Sequence, residues 1–414
     1  MTVEPGSTSG RRAGRGMARP RALLTLADVP VPADSGKRLR AAATLQGLCR
    51  VADVDVLVLA PGAPGTGPTL PEGASAVRSA QLDVPLRRRI AAGSTVLVKR
   101  VPWQMAVRDW AAARRRLRDW SSLRYDLVWF GAMDHAVCLG PHVAAGRVVV
   151  DADDVETAKL AGFLALPPGP GVGVRLERLQ RRVELPLWRS IQAELGRRAD
   201  VVVVCSELDR ARFGGPRTAV VPNTYPDLGP ARPARRPAGP AVLLVVANFE
   251  YEPNADGARF AARDVFGHVR RRLPTAQLRL VGRGAEHLTE LSAIDGVHVV
   301  GHVEDVGDEL ARASVALVPV RYGGGTRLKV IEALARGVPV VSTTLGVEGL
   351  DVVPGTHLEV ADDPEALAQA CADLAAGPSG CEAMVLAGRA LYERRYRPEV
   401  AWEAIERIVC HGSV

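Results

Sequence analysis

The residues best suited to chemistry stand together in Arg321-Tyr322-Gly323-Gly324-Gly325-Thr326-Arg327-Leu328-Lys329-Val330-Ile331-Glu332. An apolar run ends at Val318-Pro319, three glycines follow, and a helix is expected from about Thr326. Consecutive glycines let backbone N–H groups approach an anion and permit positive φ, and a helix N-terminus adds a favourable dipole. That combination makes a phosphate cradle. Arg327 and Lys329 would lie in the first helical turn, where cations oppose the dipole, so a purely structural account makes them mildly costly. A bound diphosphate would compensate both. Glu332, a turn further on, could accept hydrogen bonds from ribose hydroxyls.

This stretch resembles the C-terminal signature of the retaining GT-B glycosyltransferases of family 4, in a branch marked by G-G-G-T-R-L-K and an I-E-A triplet. The resemblance implies an α/β chain of the GT-B class, with two Rossmann-like doubly wound domains facing across a cleft. It also implies transfer of a sugar from a UDP- or GDP-sugar to an acceptor hydroxyl with retention at the anomeric carbon. Glu332 matches the second of the family's two glutamates, the ribose ligand. The first falls on Gly324, so backbone of Gly323, Gly324, Gly325 and Thr326 is expected to contact the donor sugar instead. The Arg and Lys that family members place after the first strand of this half are also missing, and Arg327 and Lys329 are expected to supply that charge. Asn248-Phe249 resembles the strand-loop that faces the diphosphate, with Pro253-Asn254 opening the next helix; ordinary capping by Asn254 is the alternative. Gly282-Arg283 and Val303 resemble the strand ends that frame the base.

In the first half, Pro32 to Arg38 resembles the family's N-terminal glycine loop, with Gly36 as pivot and Lys37 or Arg38 as an anion contact; a simple helix-starting turn is the alternative. Asp151-Ala152-Asp153-Asp154 follows a strand, so its carboxylates should project into the cleft. Three readings stay open for it. Asp151 or Asp153 could take the family's acceptor-side or donor-sugar contact; Asp-x-Asp could bind a metal as in single-domain glycosyltransferases; or Asp153 or Asp154 could cap a helix. The tandem α/β halves favour the metal-free reading, in which the nucleotide sugar is a co-substrate and no cofactor is needed. His135, at another strand end, either faces the cleft or lies in solvent.

Short aliphatic runs alternate with helical stretches, as buried parallel strands do. Arg21 to Leu26, Asp53 to Leu59, Leu127 to Phe130, Arg147 to Val150 and Val201 to Cys205 are the expected strands of the first half. Those of the second are Ala241 to Ala247, Gln277 to Val281, Val297 to Val300, Val315 to Val318, Val338 to Ser342 and His357 to Val360. The resulting division is a disordered tail over 1–19, an acceptor-side domain over 20–225, a proline-rich linker over 226–240, a donor-binding domain over 241–395, and a helix over 396–414 that crosses back. Met17 is a candidate start codon.

At 414 residues, 47% hydrophobic and 24% charged, the chain can bury two sizeable cores. Aromatics are only 4%, too few for an extended base-stacking surface, so nucleic acid is not an expected partner. The net charge of +7 favours anionic partners. Six cysteines without a C-x-x-C pair fit free thiols in a reducing, cytoplasmic setting. No run reaches the length of a spanning helix. Arg87, Arg88, Arg89, Arg114, Arg115 and Arg116, interleaved with Trp103, Trp110 and Trp120, could dock the chain peripherally on the inner face of an anionic membrane, hold an acidic acceptor, or simply form a solvated face. The acceptor, whether polysaccharide, glycolipid or small metabolite, is not readable. A nucleotide-sugar epimerase and a catalytically silent binding subunit are the alternative functions on this scaffold.

Overall fold

The computed structural model describes residues 19–33, 35–59, 74–119, 124–165, 172–229, 239–324, 327–376 and 378–411. The expected tail, Met17, Trp120, Gly325, Thr326 and most of the expected linker lie outside the described residues.

Two wholly parallel sheets organise the chain. The first contains β1 (Arg21–Leu26), β2 (Asp53–Val58), β3 (Ala74–Ser79), β4 (Tyr125–Phe130), β5 (Ala145–Asp151), β6 (Val201–Val204) and β7 (Thr218–Val220), in the order β3-β2-β1-β4-β5-β6-β7. The second contains β8 (Val242–Val246), β9 (Gln277–Val281), β10 (Val297–Gly301), β11 (Val315–Val318), β12 (Val340–Ser342) and β13 (Glu359–Val360), in the order β10-β9-β8-β11-β12-β13. Both are doubly wound, and in each the order reverses between its first and fourth strands. Ligands of such sheets bind at the carboxyl ends of the strands, at that reversal. The reversal points lie between β1 and β4 and between β8 and β11, so the loops after Leu26, Phe130, Val246 and Val318 frame the crevices.

The central strands read as continuous apolar runs because both faces are covered: all four residues of β6 and of β11 are buried. Strands β3 and β7 were not expected. Ala74–Ser79 has no apolar run and Thr218–Val220 is three residues long, as suits edge strands that bury little.

Eight helices matter below: α1 (Gly36–Val51), α2 (Leu86–Lys99), α3 (Glu156–Ala165), α4 (Val172–Arg198), α5 (Glu252–Phe260), α6 (Leu328–Arg336), α7 (Pro378–Arg395) and α8 (Pro398–His411). α8 returns to the first sheet. Ala401, Ala404, Ile405 and Ile408 join the core made by Leu24, Leu45, Val56 and Trp129, while Arg147 donates to the Ile408 carbonyl at 2.5 Å. Full burial of Ile405 alone contributes about 2 kcal/mol. Close approach of α1 and α8 depends on Gly47, where a Cβ would stand 2.7 Å from Ile405 Cδ1 and 3.3 Å from Trp402 Cδ1. Gly47→Leu should therefore push α8 off α1 and cost about 1–3 kcal/mol. Denaturant melts together with protease release of the C-terminal segment would show this; a variant as stable and resistant as the native chain would disprove the packing role.

Candidate active site

Helix α6 forms because Val330, Ile331, Ala333, Leu334 and Ala335 bury one face, and it stops at Gly337, whose φ of 69° no β-branched residue would adopt comfortably. It begins at Leu328, two residues later than the sequence suggested, with Arg327 at the N-cap. The reason is local. The Arg327 guanidinium turns back to donate to the carbonyls of Gly324 at 2.5 Å and Gly323 at 3.1 Å, which holds its backbone outside the helix. Gly323 itself has φ 114° and lies so near Tyr251 that a Cβ would meet its hydroxyl at 3.0 Å.

Arg327 is only 7% exposed, and its Nε has no hydrogen-bond partner among the described residues. Burial pulls its pKa below the ordinary guanidinium value. Lys329, in the first turn of α6, donates to Asn254 Oδ1 at 2.8 Å, and burial followed by the charge of Arg327 pushes its ammonium down to about 7. Among the described residues, no carboxylate lies within ion-pair distance of either cation. Arg321 differs: it is matched by Asp256 at 2.6 Å. Asp154, Glu348 and Asp209 favour the Arg327 charge from beyond ion-pair distance, which only partly offsets its burial; two adjacent cations with no direct carboxylate partner are unfavourable on their own. An anion bound beside the glycine loop and the start of α6 would offset that cost.

Asn254 is not the helix cap. α5 starts at Glu252 behind Tyr251, and Asn254 instead donates to the Asn248 carbonyl at 2.8 Å while accepting from Lys329. Asn248 thus reaches the cations through one intermediary, and its own side chain closes the turn by accepting from the Glu250 amide at 3.0 Å. Phe249 corrects an expectation: at 2% exposure its ring belongs to the core, leaving only its backbone to the loop, where its N–H donates to the Arg283 carbonyl at 2.7 Å. Gly282 has φ 141° and a Cβ there would stand 1.8 Å from the Ala247 carbonyl oxygen, so a side chain is excluded. Arg283 is exposed and Val303 half-buried at the neighbouring strand ends. Glu332 accepts from Tyr225 Oη at 2.6 Å and from Arg336 Nε at 3.3 Å, both at Oε1.

The first domain meets this loop directly. A Cβ at Gly36, the first residue of α1, would lie 3.0 Å from Leu328 Cδ1, and one at Gly324 would lie 3.1 Å from Lys159 Cβ of α3. Phe163 and Tyr322 face each other at 6.3 Å, and Arg212 and Glu348 form a two-pronged ion pair at 2.6 and 3.1 Å. The domains are therefore closed along one wall, with a crevice between Lys159, Arg212, Tyr322 and Glu348.

A second pocket, wholly in the first domain, is lined by Lys37, Arg108, Asp134, Asp153, Asp154 and Glu156 among others. Asp151 lines this pocket too, but its carboxylate is not free to meet a ligand there as expected. Both of its oxygens accept from Arg40, at 2.7 and 2.9 Å, and the pair is almost wholly buried. Burial opposes the Arg40 charge, but the carboxylates of Asp151 and Asp153 more than offset it and raise its pKa. Asp153 accepts from Cys205 Sγ at 2.9 Å and Asn223 Nδ2 at 3.0 Å. Although burial disfavours its charge, Arg40 and these bonds hold it below the ordinary carboxylate range. Asp154 pairs with Lys159 at 3.3 Å. Neither aspartate caps α3, since their bonds run elsewhere. The Asp-x-Asp metal reading does not fit, because Arg40 already occupies the first carboxylate. His135 is 1% exposed, with Nδ1 on Thr25 Oγ1 at 3.0 Å, and burial lowers its pKa; it is a neutral wall residue rather than a solvent-exposed one.

Lys159, Arg40, Asn223 and Tyr225 were not singled out from sequence. Arg40 had a signal, a charge on the apolar stripe of α1 beside Ala41, Thr44 and Leu48. Lys159 had none, because its place opposite Gly324 arises only when the domains meet.

A family model described as glycosyl transferases group 1 matches residues 240–376. Over 331 residues the chain is 30% identical to the GDP-mannose-dependent alpha-(1-6)-phosphatidylinositol monomannoside mannosyltransferase of Mycolicibacterium smegmatis, which spans 72% of this chain and 80% of that protein. Sucrose-phosphate synthase from Thermosynechococcus elongatus has a similar structure, with a TM-score of 0.66 at 19% identity over 94% of this chain and 98% of that one. The Anabaena protein HepE in complex with UDP-glucose gives a TM-score of 0.63 at 14% identity over 94% and 99%. These two structures speak for the GT-B fold, and the curated relative, a mannosyltransferase matched along most of the chain, lends nothing to an epimerase. The chain belongs to the group 1 glycosyltransferases and is a hexosyltransferase that uses a nucleotide-sugar donor.

Proposed function

We propose that the chain moves a mannosyl group from GDP-mannose to an acceptor hydroxyl with retention of anomeric configuration, on the inner face of a membrane. The observation that carries this is the unmatched pair Arg327 and Lys329 at the glycine loop. A nucleoside diphosphate supplies the missing anion, and the charge that grows on it as the glycosidic bond breaks is stabilised by the same two cations and by loop amides. Gly323 and Gly324 present backbone to the donor, Glu332 takes the ribose, and the Gly36 loop closes against Leu328 over the leaving phosphate. The acceptor hydroxyl attacks from the face that the diphosphate leaves, so no enzymic nucleophile is needed. Asp153, ionised and fixed by Asn223, stands on the acceptor wall with Asp154 and Glu156. The chain contributes orientation and exclusion of water. With two cations already in place, no metal is required.

The choice of GDP-mannose rests on the names of two relatives, the second being a GDP-mannose-dependent mannosyltransferase of Corynebacterium glutamicum, 32% identical over 149 residues. Both names also contain a phosphatidylinositol mannoside, which supports a lipid-anchored polyol as acceptor. Helix α2 suits such a setting. It buries Ala92 and Val96 and exposes Leu86, Ile90 and Val98 at helical spacing, flanked by Arg87, Arg89 and Arg100. Trp110, by contrast, is 4% exposed and belongs to the core, so it cannot serve as a membrane anchor. Among the described residues, no helix is long and apolar enough to cross a membrane.

GDP should raise the melting temperature in the presence of EDTA, by about 2.7 kcal/mol of stabilisation at a hundredfold excess over Kd. Stabilisation by no nucleotide at all would refute the donor site, and stabilisation by UDP alone would refute the choice of base. Arg327→Ala should lower turnover by about a hundredfold or more with little change in folding; near-native turnover would remove its assigned role, and NMR of the product's anomeric proton tests retention. Because Lys329 must be charged to hold the diphosphate, affinity should be on a plateau just below pH 7 and fall by up to about tenfold per unit above it. Calorimetry in buffers of different ionisation enthalpy at pH 7.5 should show proton uptake that Lys329→Met abolishes; no uptake in the native chain contradicts this. Vesicles rich in anionic phospholipid should sediment the chain at low salt and lose it on Ile90→Asp, whereas equal sedimentation of both proteins would exclude α2 as the contact.

A further inference from the structure

The segment Val221 to Tyr225 leaves β7 for the second domain, and two of its side chains hold functional carboxylates on opposite sides of the cleft. Asn223 receives Arg40 Nη1 at 2.9 Å and donates to Asp153 at 3.0 Å. Two residues later, Tyr225 Oη donates to Glu332 Oε1 at 2.6 Å. The Tyr225 backbone is fixed at both ends: its N–H donates to the Tyr396 carbonyl at 2.9 Å, and its carbonyl accepts from Tyr392 Oη at 3.2 Å. Tyr392 is fully buried, so this anchor is rigid. Burial and the facing Glu332 raise the Tyr225 pKa, which keeps the phenol protonated and donating.

We propose that Tyr225 is a specificity-determining positioning residue: by pinning Oε1 of Glu332 it turns Oε2 toward the ribose and so makes the donor site select ribonucleotides. The inference rests on the donor reading of Glu332 given above. A carboxylate at the end of three rotatable side-chain bonds has no fixed orientation unless one oxygen is held, and Arg336 at 3.3 Å holds the same oxygen more weakly than Tyr225. With Oε1 occupied, Oε2, which has no hydrogen-bond partner among the described residues, is the oxygen left for a vicinal diol. The phenol comes from the crossing segment rather than from the donor domain's own sheet, so ribose recognition depends on how that segment lies.

Calorimetry on the full chain with GDP and 2′,3′-dideoxy-GDP, and with the uridine pair in parallel, tests this. The native chain should prefer the ribonucleotide by about tenfold, the scale of a hydrogen bond to a charged group. Tyr225→Phe keeps the ring and should reduce the preference to within about twofold by weakening only the ribonucleotide. Its dideoxy affinity should stay native, which also reports a folded phosphate site, and turnover at saturating donor should be unchanged. A tenfold preference retained in Tyr225→Phe overturns the role of Tyr225 and leaves Glu332 standing. Equal affinity for both nucleotides in the native chain, or no binding of either, overturns the Glu332 reading and this inference with it. Loss of dideoxy binding in Tyr225→Phe overturns the positioning role in favour of a structural one.

Discussion

Holding a buried Arg327 beside a half-buried Lys329 is unfavourable unless an anion joins them, and the glycine loop, α6 and the start of α5 are arranged around that constraint. The glycine loop gives up two carbonyls to Arg327, α6 starts late so that the guanidinium can reach them, and Asn254 leaves the cap of α5 to hold Lys329. None of these arrangements supplies a negative charge. They hold two cations ready without neutralising them, which is the preorganisation that stabilising a departing diphosphate requires.

Much of this was legible in the sequence where local chemistry decides the outcome. Buried parallel strands announce themselves as aliphatic runs, so the central strands of both sheets stand within a residue or two of where periodicity puts them, while the polar edge strand Ala74–Ser79 and the short Thr218–Val220 carry no such mark. The glycine-rich turn, its cations and Glu332 were legible too, because their order along the chain is the order in which they line one loop. What a side chain spends its charge on was less visible. Asp151 reads as a cleft carboxylate until Arg40, 111 residues away, is seen to take both of its oxygens. Phe249 and Trp110 read as ligand-facing or membrane-facing aromatics, but the cores around them claim both rings. Those outcomes depend on tertiary neighbours, which composition and spacing do not encode.

The two halves are more than a pair of facing sheets. Lys159 lies against Gly324, Gly36 against Leu328, and Arg212 is locked to Glu348, so both sides contribute to the site. The small residues at Gly36 and Gly324 are what let the walls approach: a side chain at either would sit at or inside contact distance of the opposite domain. Gly324, in the middle of the glycine loop, is thus also the position that gives Lys159 its room.

Helix α8 completes the core of the first sheet although it is encoded after the second domain's strands. During synthesis, the second domain has all the strands of its own sheet once β13 has emerged, while the first domain must wait, with α1 exposing the stripe that Ile405 will cover, until residues 398–411 follow. Domains that finish folding out of the order in which they are made leave apolar surface open to chaperones and to other nascent chains. For this protein the half translated first is the half most exposed to that hazard.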